Sequence, residues 1–275
     1  MQKFNSVSDF VDNYDAFILD IWGVIHDGHA TYPGVVECMK MLSERGKEVV
    51  FLSNAPRRAD KVKKVLARFG ITENLYKAAL SSGEVAYLEI GALGIEHRKY
   101  FYIGPEKDRD LLNGLGFEET SSASSAAFAV TTGFDNDDST IEEKLPQISQ
   151  ALTQGLKLYC VNPDMIVVRQ DGSKMLCAGV IGEYYKEHGG NVEYIGKPFP
   201  KVYEYAFKLF SPEISKKRIV AIGDGYETDI LGAANADIDS VLCMGGILSV
   251  TKTPIAELAK KYGVEPTGVL PAFLA

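Results

Sequence analysis

The sequence predicts an α/β fold: a doubly wound parallel sheet of Rossmann-like order with a second α/β unit inserted into it. Three observations point there. Short apolar runs alternate with amphipathic helical stretches, which is the pattern of βα repeats. The run Val49–Leu52 is apolar throughout, as a parallel strand covered on both faces must be. Sheet-type signals stand at both ends of the chain, with a self-sufficient α/β block between them.

The elements follow in order. Phe17–Leu19 ends a short apolar strand, and Pro33-Gly34 opens a helix over Val35–Arg45. Val35, Met39 and Leu42 share one face of that helix, and Gly46 stops it. After the strand Val49–Leu52, a second helix spans Arg57–Phe69 and closes at Gly70. Near the C-terminus, Arg218–Ile222 and Ser240–Cys243 read as strands flanking a helix over Glu227–Ala236. The middle has a different texture. Tyr100–Ile103, Phe128–Thr131, Lys157–Val161 and Ile166–Val168 are short strands set between helices and polar loops, among them the Ser-rich Thr120–Ser125 and the acidic Asp135–Ser139. The expected division is a core of residues 1–81 and 192–275, with residues 82–191 forming an inserted α/β cap.

Composition narrows the function. At 275 residues the chain suits one large domain or two ordinary ones, and 46% hydrophobic with 24% charged residues is a soluble globular balance. A net charge of −8 and the lack of a basic run argue against nucleic-acid and anionic-membrane surfaces. Four scattered cysteines with no C-x-x-C pair read as small apolar residues in a reducing compartment. With no run approaching the roughly 18 apolar residues of a membrane span, a cytoplasmic protein is expected.

In open parallel sheets, ligands bind beyond the carboxyl ends of the strands. Asp20 leaves the first strand there, and Ser53-Asn54 the second. Lys197 follows the short strand Val192–Ile195, and Asp224 follows Ile219–Ile222. Each is unremarkable alone, since acids and serines at strand ends commonly form turns or caps. Together, two acids, a hydroxyl and a lysine on one rim make a phosphate-and-metal site. A carboxylate can attack phosphorus. Mg²⁺ and a lysine offset the repulsion between two anions, and a hydroxyl with a helix N-terminus receives the remaining oxygens. His26-Asp27-Gly28-His29 lacks a third ligand for zinc, and Asp135–Asp138 lacks the spacing of a calcium loop. Dinucleotide, Walker and nucleophile-elbow motifs are absent from the sequence.

In this order the chain resembles the haloacid dehalogenase-like (HAD) superfamily, in its NagD-like class IIA branch with an α/β cap. The residues that carry the likeness are Asp20 with Gly23-Val24, Leu52-Ser53-Asn54, Gly196-Lys197-Pro198, and Gly223-Asp224 through Thr228-Asp229. Pro33-Gly34, Gly133-Phe134-Asp135 and Asn162-Pro163-Asp164 suggest the branch. The resemblance implies a Mg²⁺-dependent phosphatase of a small phosphorylated metabolite, such as a sugar phosphate, nucleotide or aryl phosphate. It implies Asp20 as nucleophile and site of an aspartyl-phosphate, Ser53 as hydrogen-bond donor to the phosphate and Lys197 as charge stabiliser. Asp20, Asp224, Asp229 and the backbone carbonyl of Trp22 would hold the metal. Gly23, Ser53, Asn54, Asn162 and Asp164 would line the substrate, with Asp135 a further cap residue facing it. The resemblance leaves room for a homodimer through the cap.

Trp22 is the departure. The family's usual aspartate at that position protonates the leaving oxygen and then activates water, which is worth ~10²–10⁴-fold in rate. An indole has no usable acidity near neutral pH. Three readings stay open: a leaving group that needs no proton; a proton from another residue, His26 or Asp27 being nearest in sequence; or a protein that binds a phosphorylated ligand or regulates with weak or no turnover, or transfers phosphoryl groups through a long-lived aspartyl-phosphate.

Overall fold

Neighbouring residues of the apolar runs point to opposite sides of one sheet, which is why those runs show no polar alternation. The computed structural model describes residues 1–94, 99–168, 173–248 and 252–275. The chain runs through β1 (Gln2–Lys3), β2 (Ala16–Leu19), α1 (Val35–Glu44), β3 (Glu48–Ser53), α2 (Ala59–Arg68), β4 (Ala78–Ser81) and α3 (Ser82–Gly91). It then builds a second layer from β5 (Lys99–Ile103), β6 (Glu118–Thr120), β7 (Phe128–Thr131), α4 (Leu145–Thr153), β8 (Leu158–Cys160), β9 (Ile166–Val168), β10 (Lys174–Leu176), α5 (Ala178–Glu187) and β11 (Val192–Tyr194). It returns through α6 (Pro200–Phe207), β12 (Ile219–Gly223), α7 (Leu231–Asn235), β13 (Asp239–Cys243), α8 (Ile255–Tyr262) and β14 (Gly268–Leu270).

Among the described residues the first and last groups of strands form a seven-stranded sheet in the order β1-β14-β13-β12-β2-β3-β4, parallel throughout. From β2 the chain builds outward to β3 and β4; after the second layer it builds from β12 in the other direction. The reversal falls between β2 and β12, the place where such sheets open a crevice. Phe17, Leu19, Val49 and Phe51 pack with Val35, Met39 and Leu42 of α1 and Val62 and Leu66 of α2. Ile18, Val50 and Leu52 face the other side, against Val85 of α3 and Val202, Tyr203 and Ala206 of α6. The second apolar layer continues through Tyr100, Tyr102, Phe128 and Tyr159 of the smaller sheet, whose order is β11-β8-β7-β5-β6, so the two sheets share buried apolar surface.

Two expectations shift. Val192–Tyr194 does not border the larger sheet: it pairs in parallel with β8, register Val192 to Leu158, as an edge of the smaller one. A three-residue strand of half-buried residues carries no local signal of which sheet it joins, and the chain crosses back only at Ile195–Gly196. The helix expected over Glu227–Ala236 is split into a wide π-type turn, Tyr226–Ile230, followed by α7. Such turns commonly present functional side chains, and this one carries Asp229. β9 and β10 form a separate antiparallel hairpin over the crevice. All four cysteines are free and buried. Among the described residues no helix is long and apolar enough to cross a membrane.

Candidate active site

Asp20 stands at the end of β2 and Asp224 at the end of β12, adjacent strands of the larger sheet. Asp229 reaches the same point from the π-type turn, and each of the three offers an oxygen within 4.8 Å of the others. Among the described residues no other group of three acid, histidine or cysteine side chains is close enough to share a metal ion. Lys197 enters from the loop after β11. Its Nζ donates to Oδ1 of Asp20 at 2.7 Å and to Oδ1 of Asp229 at 2.7 Å, and the side chain is 3% exposed.

Burial raises the Asp20 carboxyl, with Lys197 opposing the shift. Burial also pushes Asp224 well above the usual carboxylate range, and the charges of Asp20 and Asp229 add to it. Asp229 is pushed up to about 6, again mainly by burial, with Lys197 working against it. Burial acts to discharge Lys197, but Asp20 and Asp229 outweigh it and its proton is held more tightly than in water. Three buried carboxylates against one ammonium leave an excess of negative charge on hard oxygen donors, which fits a small divalent cation such as Mg²⁺.

The backbone is shaped around Asp224. A Cβ on Gly23, whose φ is +85°, would meet the Asp224 carboxylate at 2.2 Å, and a Cβ on Gly246 would meet it at 1.8 Å. Only a hydrogen fits at either place. The N–H of Ile247 donates to Asp224 Oδ2 at 2.6 Å. Gly246-Ile247 was not anticipated from sequence; its one signal is the Gly245-Gly246 pair one residue after β13, where a backbone must come close to something.

Ser53 ends β3 and lines the cavity; its Oγ accepts the Ala55 N–H at 3.2 Å, leaving its own proton to donate. The amide of Asn54 makes three hydrogen bonds within the protein. Oδ1 accepts the Lys197 N–H at 2.7 Å, while Nδ2 donates to the Lys197 carbonyl at 3.0 Å and to Asp164 Oδ1 at 2.7 Å. Asn54 thus ties the lysine loop to the smaller layer. Asn162 Oδ1 accepts the Asp164 N–H at 3.0 Å, a local turn that fixes where Asp164 points.

Asp20, Asp224, Lys197, Gly23, Gly246, Ile247, Ser53, Asn54, Asn162 and Asp164 line one cavity of about 760 Å³, together with Arg57, Lys107, Phe134, the β9–β10 hairpin, Tyr226 and Tyr262, while Asp229 lies just behind its wall. Asp135 is not on its wall. It is exposed and pairs with the buried Lys144 at 2.6 Å, so Phe134 is the residue of that loop that faces the cavity. Trp22 lines the cavity too, half-buried. Its indole blocks the space a Gly28 side chain would occupy, at 2.6 Å, and meets the His26 ring edge-on at 5.6 Å.

His26 faces away. It lines a separate pocket of about 230 Å³ behind Trp22, and Phe69 lies 4.6 Å from its ring. Its Nδ1 accepts the Gly28 N–H at 2.9 Å, and burial lowers its pKa to about 4. Asp27 does reach the main cavity. Burial works to raise its carboxyl, but the N–H groups of Ala30 and His29, at 2.8 and 2.7 Å, outweigh that and keep it ionised.

Comparison with known proteins agrees with this fold. A haloacid dehalogenase-like hydrolase family model matches residues 17–118, and a HAD-hydrolase-like model matches residues 194–274. A haloacid dehalogenase-like hydrolase of Brucella suis has a TM-score of 0.85 at 28% identity, covering 98% of this chain and 100% of that one. NagD of Escherichia coli has a TM-score of 0.71 at 18% identity, covering 94% of this chain and 97% of that one, and shares the fold. The chloroplastic phosphoglycolate phosphatase 1A of Arabidopsis thaliana is 25% identical over 91% of this chain and 74% of that protein. With both ends of the larger sheet matched and the strand-end acids in place, the chain belongs to the haloacid dehalogenase-like hydrolases.

Proposed function

We propose that the protein is a Mg²⁺-dependent phosphatase of a small phosphorylated metabolite, with Asp20 as the nucleophile. The observation that carries this reading is Lys197 bridging Asp20 and Asp229 inside a three-carboxylate cluster at the sheet's switch point. A structural ion pair needs no third acid, and a third buried acid without a cation is costly. The relative named a phosphoglycolate phosphatase supports the substrate class.

In this reading Asp20 Oδ attacks phosphorus, the bond to the leaving oxygen breaks, and water later releases phosphate from Asp20. Lys197 favours the ionised form of Asp20 against the effect of its burial and faces the phosphoryl oxygens. Ser53 donates a hydrogen bond to one of them; the first N–H of α2, at Ala59, is already taken by the Glu84 carboxylate at 2.9 Å. Asp20, Asp224, Asp229 and the Trp22 carbonyl would hold Mg²⁺, whose positive charge would offset the repulsion between carboxylate and phosphoryl group. The five-stranded layer acts as a cap that keeps water out while the ester is bound.

A second reading rests on Trp22: a protein that binds a phosphorylated ligand with little turnover. One experiment decides between them. Phosphate release is measured across a panel of phosphate esters, p-nitrophenyl phosphate included, with and without Mg²⁺, on wild type, Asp20→Asn and Trp22→Asp. The phosphatase reading expects turnover that requires Mg²⁺ and is lost in Asp20→Asn. Ligand-induced protection against melting without turnover by the wild type would replace it with the binding reading.

A further inference from the structure

The reaction needs a proton for the leaving oxygen, and position 22 cannot give one. Outside the metal cluster, the carboxyl groups on the cavity wall among the described residues are Asp27, Asp108, Asp164 and Glu227. Asp27 is held ionised by its own loop. Asp108 is paired with Arg57 at 2.9 Å, and Glu227 accepts the Tyr262 hydroxyl. His26 lies in the other pocket. Resting on the phosphatase reading above, we propose that Asp164 is the acid–base residue, so that the catalytic proton comes from the smaller layer and not from the loop after Asp20.

Its placement supports this. The loop after β8 is pinned at both ends of Asp164: the N–H donates to Asn162, and the carbonyl accepts the Gly179 N–H at 3.1 Å. Oδ1 takes the Asn54 amide, which itself grips both the N–H and the carbonyl of Lys197. The acid is therefore positioned by the same side chain that positions the lysine, and among the described residues Oδ2 has no hydrogen-bond partner and can carry a proton.

The electrostatics agree. Burial pushes Asp164 up to about 6, with the Asn54 hydrogen bond and Lys197 opposing and Asp229 and Glu227 adding to the shift. Among the described residues its charge in turn raises Asp20, Cys160 and Cys177. An acid near 6 gives and retakes a proton close to neutral pH.

The step balances as follows. Asp20 Oδ bonds to phosphorus as the phosphorus–leaving-oxygen bond breaks, and the departing oxygen takes the Asp164 proton and leaves as an alcohol. The Asp164 carboxylate then takes a proton from water, whose oxygen bonds to phosphorus. The phosphorus–Asp20 bond breaks, its electron pair returns to Asp20, and Asp164 is again protonated.

The test is Asp164→Asn, which keeps an acceptor for Asn54, assayed on glycerol phosphate and on p-nitrophenyl phosphate. For glycerol phosphate, kcat/KM should fall by ~10²–10⁴-fold; nitrophenolate leaves without a proton, so its kcat/KM should fall less than about tenfold. Because water activation is also lost, the variant should release about one equivalent of nitrophenolate in a burst before slow turnover. An equal fall for both esters without a burst, or no fall, overturns the assignment. A second measurement needs no variant: wild-type kcat/KM on glycerol phosphate should decline above about pH 6 relative to p-nitrophenyl phosphate, and parallel profiles overturn it. Asp20→Asn should abolish both turnover and burst; activity surviving there defeats the nucleophile reading itself, whatever Asp164 does.

Discussion

Lys197 Nζ lies 2.7 Å from Oδ1 of Asp20, although the two residues are 177 positions apart and come from different loops. The same ammonium holds Asp229 at the same distance. Lys197→Met would leave Asp20 and Asp229 buried and uncompensated, so they would take up protons and Asp20 would lose nucleophilicity. We expect kcat to fall by at least ~10²-fold. Stability should fall by about 3 kcal/mol at pH 8 and by less at pH 5, where the orphaned carboxylates are protonated. Urea denaturation at the two pH values checks this; equal losses would mean that the carboxylates do not feel the lysine's charge.

His26 predicts an acid sensitivity. Its folded pKa is depressed to about 4, below the ordinary value of about 6.5. Between those values the unfolded chain binds a proton that the folded chain refuses, so stability falls as pH drops through this window and the effect ends near 4. The contribution is on the order of 3 kcal/mol. His26→Asn keeps an acceptor for the Gly28 N–H and cannot titrate. Its stability should decline less than the wild type's between pH 6.5 and 4, even though the lost ring contact with Phe69 lowers it at every pH. Parallel curves would show that the ring charges freely.

The strand ends were legible in the sequence because they depend on local pattern alone. A strand buried on both faces must be apolar throughout, and the polar residue that ends such a run sits at the rim. That logic located Asp20, Ser53 and Asp224 without knowledge of any contact. It could not assign the role of Asn54, whose partners lie 110 and 143 positions away. Nor could it assign Val192–Tyr194 to a sheet, since a short edge strand looks the same beside either. His26 was a reasonable proton donor by proximity in sequence. The turn at Gly28, which seats the indole, sends the imidazole to the opposite side of Trp22, and that direction is a property of backbone geometry.

Asp224 leads to the most counterintuitive expectation. With no cation bound, its carboxyl is raised well above the unfolded value, as are those of Asp20 and, to about 6, Asp229. The folded chain then holds more protons than the unfolded one, so this cluster's contribution to stability declines as pH rises from about 4 through these pKa values. A divalent cation takes the place of those protons. Saturating Mg²⁺ should therefore raise Tm more at pH 7.5 than at pH 5; at a hundredfold excess over Kd the gain is ~2.7 kcal/mol, or roughly 5–10 °C for a chain of this size. Asp224→Asn retains an acceptor for the Ile247 N–H while removing one buried charge. In the absence of Mg²⁺ at pH 7.5 it should melt higher than wild type, and added Mg²⁺ should shift it little. Scanning fluorimetry with Mg²⁺ and with a chelator tests both halves. A variant that melts lower than wild type in chelator would mean that Asp224 stabilises the fold through its hydrogen bond more than it destabilises it by its charge.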